Sequence, residues 1–594
     1  MKRALPFAIC AAAFGQDLTI DTGYRFLSNP AGDFNTYRSV VNLGEGPKLF
    51  GADLNVSEWK NPLFDQLTVS TQSWGGEPYT SLRASIGRAK LYRIHGDYRN
   101  AAYYNFLPSF ALNQRGFDLR RRISSVEAEV LPSSRIIPYI AYSRDSGTGT
   151  GVTPFVANAN EYPVATALDD GTHNVRGGAR IETSRLHATL EQGSSVFSDG
   201  QRVFTSLRNL GNRESTLFGR TLFLNSLDQA YRVHGGNVYS KGSLAASPTG
   251  WLRVSGHIIY SRPRSDVRYT DQGRGLFYVG GTVFSPGFET LLTGASKMPR
   301  TSASTNVDIQ AHRKLRVTQF WMTDRLSDQL TVNRIAVNFH REQTEAFFDP
   351  FRGLTLRGGH RFVWGDASVP GQGKLRQHVG LAGATFRAGT QVSASADYEG
   401  SPGDRSYFRT SLHNYHQLRA RVRGQVAKSL SASGSFFLLD NKNPNQGANF
   451  DLASTTAAAS LQWAPGGGKL VSVTGEYSRS MLHTNVWYLV PQLAQRAESD
   501  YRDNTHAATG LVDLHPSKTM AMSMGGSLVT TSGTRPTRYY QPMGRASMPF
   551  SKTMEGYGEW RWYGLSQTFF VFEGFRAHQF TIGLRVSLER RSTP

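Results

Sequence analysis

The chain has 594 residues, 39% of them hydrophobic and 11% aromatic, and a formal net charge of +21. Its mean hydropathy is -0.39, and no stretch reaches the roughly 18–20 apolar residues that a membrane helix needs, which excludes a helical membrane protein. So basic a chain invites a nucleic-acid reading, but Arg and Lys are spread along it without one dense basic run, so no nucleic-acid partner is expected.

Lys2 and Arg3 precede a short apolar core, Ala4 to Phe14, and Ala13-Phe14-Gly15 is a small-x-small site. This predicts an export signal over residues 1–15 and a mature chain from Gln16. Cys10, the sole cysteine, lies inside that signal, and Phe7-Ala8-Ile9 before it is a poor lipoprotein box. A mature chain without cysteine has no disulfide, no thiolate nucleophile, no Cys-ligated metal and no haem attached through C-x-x-C-H.

Alternating strands begin near Leu18. That leaves no room for an N-terminal plug domain, so a TonB-dependent receptor is not expected. Arg120 to Arg122 form a first basic cluster. Ser146 to Asn174 is polar and rich in Gly, Asn and Thr, and reads as a long outward loop. Its Glu161, Asp169 and Asp170 lack EF-hand spacing and read as solvated carboxylates, not as a calcium site.

His413 and His416 fall on opposite faces of an extended segment, which suits no shared metal ion. Next, Leu418, Ala420, Val422, Gly424 and Val426 share one face, with Arg419, Arg421 and Arg423 opposite. An arginine near a bilayer midplane costs roughly 2–4 kcal/mol, so the arginine row must face water or a lumen. There it either lowers the barrier to anions or pairs with carboxylates on neighbouring strands. After Ala427-Lys428-Ser429 the pattern resumes with Leu430, Ala432, Gly434, Phe436 and Leu438, and two such strands make a hairpin.

Similar short turns are Pro132 to Arg135, Pro248 to Trp251, Pro465 to Lys469, Pro516 to Lys518 and Pro549 to Lys552. Proline cannot donate to a ladder and so punctuates strands. Asp440 to Asn449 and Leu482 to Asp500 read as further long loops. Tyr539, Tyr540, Trp560, Trp562 and Tyr563 are candidates for an aromatic girdle at a membrane interface. The last strand, Phe580 to Leu588, puts Phe580, Ile582, Leu584, Val586 and Leu588 on one face and Arg585 on the other. Arg585 is expected in the lumen and Phe580 on the lipid side.

His506, Asp503 and Asp513 could be drawn as part of a hydrolytic site, but the chain has no G-x-S-x-G elbow and no phosphate-cradling loop. No enzyme activity and no cofactor are expected.

Gly23-Tyr24-Arg25-Phe26, Phe34 to Arg38, Val41 to Gly46, Phe50 to Leu54, Leu119 to Arg122, Leu131 to Arg135 and Tyr142-Ser143-Arg144 follow a familiar order. Over about the first 145 residues the chain resembles large acidobacterial-type outer-membrane barrels. These are similar to the porin that sheathes decahaem cytochromes. The resemblance implies a conduit, with no catalytic residue to carry over. Two features depart from the pattern: the mature chain lacks the C-x-x-C of some members, and a polar tail, Glu589 to Pro594, replaces a terminal aromatic.

The sequence thus predicts an all-β, single-domain, antiparallel up-and-down outer-membrane barrel over residues 16–594, of about 26 strands (range about 22–30), with short periplasmic turns, long extracellular loops and no plug. Its expected role is a porin-like conduit with a basic lumen. The alternatives are a sheath for an exported multihaem cytochrome and an exported β-rich adhesin or binding protein. Expected partners are outer-membrane lipids and lipopolysaccharide, with anionic solutes or the cytochrome in the lumen.

Overall fold

The structure, a computed structural model, describes residues 17–33, 37, 44–57, 63–75, 78–105, 116–330, 334–367, 374–403, 411–443, 448–490, 495–517, 519–568 and 574–588. The predicted export signal and the polar C-terminal tail lie outside the described residues.

Period-two alternation does here what it dictates. Each strand pairs antiparallel with the next, and the last, Phe575–Leu588, pairs back with the first, Asp17–Gly32, from Leu588 opposite Leu18 to Phe575 opposite Gly32. The sheet closes on itself. Closure removes exposed edges and lets backbone amides find partners without water, which is what allows a sheet to span a bilayer.

Twenty-eight strand segments are present among the described residues. Leu252–Ser261 and Arg264–Gly280 are two parts of one stave, because both lie along the single long strand Phe223–Thr249. Val283–Lys297 and Arg300–His312 continue one another in the same way. Pro263 and Pro299 sit at the two interruptions, where a ladder amide is missing. The wall therefore has 26 staves.

All six of the short turns predicted from sequence lie at the end that holds Leu18 and Leu588, the periplasmic end. The predicted long loops turn out otherwise. Ser146 to Asn174 is a strand hairpin, Ile136–Ala157 with Asn160–Glu182, turning at Asn158 and Ala159 (φ 54° and 56°). Most of Leu482 to Asp500 likewise continues the strands Val471–Val490 and Gln495–Ser517. Polar composition reported the aqueous medium beyond the membrane, not the end of the ladder.

The two faces differ in how their side chains meet. On the concave side they converge and pack, and on the convex side they diverge. At the seam the inward Gln579 and Thr581 are 3% and 4% exposed, while the outward Ile582 is 65% exposed. A small apolar core of Tyr162, Val164, Val203, Leu224, Leu227 and Phe277 closes the extracellular extension on one side. Buried Asn160 ties residues 206–222 to it, donating to the Leu210 carbonyl at 2.9 Å and accepting from the Arg213 amide at 2.9 Å.

Candidate functional site

The inward face divides into sectors. In one, spanning Tyr79–Arg88 to Leu186–Thr205, arginines and carboxylates interlock across strands. Arg121 meets Asp145 at 2.7 Å, and Arg176 and Arg180 both meet Glu127 at 2.9 Å. Tyr139 donates to Glu191 at 2.6 Å. In a second sector Arg357 bridges Asp397 at 3.0 Å and Glu345 at 3.3 Å, while Arg361 meets Glu399 at 3.1 Å. At the seam Arg585 donates to Asp21 at 3.0 Å, and Tyr557 donates to the other oxygen of Asp21 at 2.7 Å. Opposite charges facing across strands stabilise the pairing locally. They also cancel much of the inward arginine charge.

The predicted row Arg419, Arg421 and Arg423 stands on the inward face of Tyr415–Ala427, and its members differ. Arg419 lies opposite Asp397 on one side and over the Phe437 ring, 5.6 Å from its centroid, on the other. With its amide oxygen turned toward it, Gln417 accepts from Arg419 at 2.7 Å. Arg421 is flanked by Ser395 and Ser435, and Arg423 by Ser393 and Ser433. Among the described residues neither forms an ion pair.

Next to them the wall changes character. Over the five strands from Leu430–Asn443 to Met520–Gly533, many of the inward residues are Ser, Thr, Ala or Gly. A concavity of about 630 Å³ follows this sector, lined by Ser433, Ser460, Thr474, Thr509 and Ser527, with Arg423 and Glu476 as its charged members. A second, of about 450 Å³, is shared by Arg421, Arg423 and Glu476. Small side chains leave free space against the wall, and hydroxyls with two acceptor lone pairs and a rotating donor suit a hydrated solute.

The predicted girdle splits. Tyr540, Trp560 and Trp562 face outward. Tyr540 packs edge-on against Trp562 at 4.9 Å, and Trp562 stacks on His578 at 5.3 Å. Tyr539 and Tyr563 do not belong to an outer girdle. They face inward, with Tyr563 in a buried cluster of Tyr37, Phe575 and Ala577 and Tyr539 packed against it. The reason is the alternation itself, since neighbours in a strand cannot share a face.

The remaining candidates are dispersed. His413 is 4% exposed at a loop edge, and His416 pairs on the outer face with the Tyr398 hydroxyl at 2.7 Å. His506 is bound outward to Tyr477, whereas Asp513 points inward to the Ser523 hydroxyl, so these residues form no common site. Asp170 belongs to the inward network through Arg121 at 3.7 Å. Among the described residues no three metal-ligating side chains meet. Beyond the membrane, Asp500 is held below its ordinary carboxylate range by the hydrogen bond from Arg502 at 3.1 Å. The carboxylate partners of the inward arginines were missed from sequence. Most lie a strand or more away, where register alone brings them opposite, whereas Asp97 and Glu559 stand two residues from Arg99 and Arg561 on the same strand.

No family model and no curated protein matches the chain. Solved structures do. The outer membrane transporter YddB from Escherichia coli aligns over 96% of this chain and 80% of its own, at 8% identity and a TM-score of 0.43. The copper transporter OprC aligns over 97% and 81%, at 9% identity and a TM-score of 0.47. The siderophore receptor PiuA from Acinetobacter baumannii aligns over 96% and 81%, at 9% identity and a TM-score of 0.42. These are transporters and receptors, not enzymes.

The protein is an outer-membrane β-barrel. The expectation of a barrel without a plug, unlike a TonB-dependent receptor, is corrected to a closed antiparallel barrel of 26 staves, the early onset of strands being no ground for excluding a plug. None is evident among the described residues.

Proposed function

We propose that the protein is a conduit for anionic solutes across the outer membrane, with Arg421 and Arg423 as its guiding strip. The observation that supports this is their lack of ion-pair partners on an inward face where most guanidiniums have them. Paired arginines hold the wall in shape. An uncompensated one lowers the electrostatic barrier to anions. The adjoining Ser/Thr sector provides room and exchangeable hydrogen bonds along the same path.

A second reading follows from width. Strands about 4.8 Å apart and tilted by about 40° put opposite backbones of such a wall roughly 50 Å apart. That is more than a small-solute sieve requires, and it accommodates a folded partner. The resemblance to barrels that sheathe decahaem cytochromes suggests an exported multihaem cytochrome. Any haem would be carried by that partner, because the chain's one cysteine is Cys10.

Reconstitution in planar bilayers tests the first reading. The expected result is a large conductance with a reversal potential displaced toward anions. A correctly folded barrel that conducts nothing overturns the open conduit. Co-purification of a haem-staining polypeptide from native membranes would support the sheath, and its absence would remove it.

A further inference from the structure

The outward face carries a second arginine pattern, which the lumen does not use. On five strands an aromatic or histidine side chain is followed, two residues nearer the extracellular loops and on the same face, by an arginine. The pairs are Tyr142 with Arg144, His378 with Arg376, Tyr477 with Arg479, Tyr540 with Arg538, and His578 with Arg576. In the two rising strands the aromatic comes first in sequence, and in the three descending strands the arginine does. The order along the chain reverses while the order in space does not. What recurs is therefore a position relative to the membrane.

The inner rung of each pair belongs to a cross-strand ring. Tyr142 meets His173 Nδ1, Tyr398 meets His416 Nδ1 and Tyr477 meets His506 Nδ1, each at 2.7 Å. Phe362 stacks on His378 at 4.5 Å, and Trp562 stacks on His578 at 5.3 Å. Toward the periplasm from this ring the face is apolar, as in Leu418, Val422 and Val426 beneath His416. From Leu588 to His578 the closing strand climbs ten residues. At about 3.3 Å per residue and about 40° of tilt that is a rise of roughly 25 Å, the height of a barrel's apolar band. The ring therefore sits where hydrocarbon gives way to headgroups in the outer leaflet, and the arginines stand just beyond it.

All five arginines are exposed, and none forms an ion pair among the described residues. Arg479 donates to the Asn504 side-chain oxygen at 3.1 Å. Unpaired guanidiniums repeated on the loop side of this ring call for anions there. A planar fork of donors matches phosphate oxygens in a bidentate way.

We propose that these five arginines form a belt that binds the phosphate groups of a phosphorylated glycolipid, the lipopolysaccharide of the outer leaflet, with the Tyr–His ring seated at its acyl boundary. The surplus of positive charge in the sequence is thereby placed partly outside the barrel, facing lipid headgroups, and not only in its lumen.

The test uses the full-length barrel in detergent, with its thermal unfolding followed by the heat-modifiable gel shift. Bis-phosphorylated lipid A is expected to raise the unfolding temperature by several degrees, and mono-phosphorylated lipid A by less. Phosphatidylcholine and inorganic phosphate at the same concentration are expected to leave it unchanged. The combined variant Arg144→Gln, Arg376→Gln, Arg479→Gln, Arg538→Gln and Arg576→Gln should keep the folded band and lose the lipid A shift. Its affinity should fall about tenfold or more, as befits loss of charge-assisted contacts. Should that variant fail to fold, Arg479→Gln with Arg576→Gln should show an intermediate loss. Equal stabilisation by inorganic phosphate would reduce the belt to a free-anion site. An undiminished lipid A shift in the variants, or the same shift with phosphatidylcholine, would overturn the proposal.

Discussion

Replacing both unpaired inward arginines, by Arg421→Gln with Arg423→Gln, should weaken anion preference without disturbing the wall. In water two unit charges about 5 Å apart interact by about 0.8 kcal/mol. Screening at 0.1 M salt, with a Debye length of about 10 Å, lowers this to about 0.5 kcal/mol per arginine. Together they give about 1 kcal/mol at the strip, a local enrichment of anions of about fivefold. The lumen is far wider than the strip, so averaging over its section leaves a change of about twofold in the anion-to-cation permeability ratio. At 1 M salt the Debye length is about 3 Å and the difference should nearly vanish. Reversal potentials under a KCl gradient in planar bilayers measure this directly. The Arg421→Lys and Arg423→Lys pair should keep the wild-type ratio, since charge and not the guanidinium fork is at stake. An unchanged ratio for the glutamine pair at 0.1 M, or an equal loss for the lysine pair, would refute the reasoning.

At the seam, Asp21→Ala strips Arg585 and the Tyr557 hydroxyl of their shared acceptor. Because the Arg585 side chain is 40% exposed, the pair is partly screened, and a loss of about 1–3 kcal/mol is expected in urea unfolding from lipid vesicles. Gly583→Ala should cost about 1–3 kcal/mol in the same assay, since the Tyr557 ring lies over Gly583 and leaves no room for a Cβ. An unchanged midpoint would mean that the ring moves aside freely. Glu342 sits on the outward face opposite Trp321, in the apolar band, accepting from Gln319 at 2.9 Å. Glu342→Leu is expected to raise stability in bilayers by about 1 kcal/mol, and a fall would show that the hydrogen bond from Gln319 outweighs the cost of a carboxylate facing lipid.

Much of the wall is legible without coordinates, because alternation is local. Each residue of Phe580 to Leu588 declares its face by parity alone. Parity likewise separates Arg419, Arg421 and Arg423 from the lipid, and the recurring turns imply a count near the 26 staves observed. The same rule, applied strictly, would have kept Tyr539 and Tyr563 out of the girdle, since each adjoins a residue of the opposite face. Loop extent is not legible in the sequence, because a hairpin in water looks polar whether or not its ladder continues.

Other features depend on register and closure, which no local pattern contains. Asp21 and Arg585 are 564 residues apart, and they meet only because the last strand pairs with the first. Whether an arginine is structural or free is decided in the same way. Arg361 finds Glu399 two strands along, while Arg421 and Arg423 find serines on both sides. The outward arginine belt escapes a linear reading too, since its spacing runs forward in rising strands and backward in descending ones. The sequence by itself thus determined a membrane-spanning wall and the face of each residue, because side-chain direction follows the local backbone. Only the closed barrel decided which charges cancel and which remain free to meet a solute or a lipid, because electrostatic pairing depends on distances across strands.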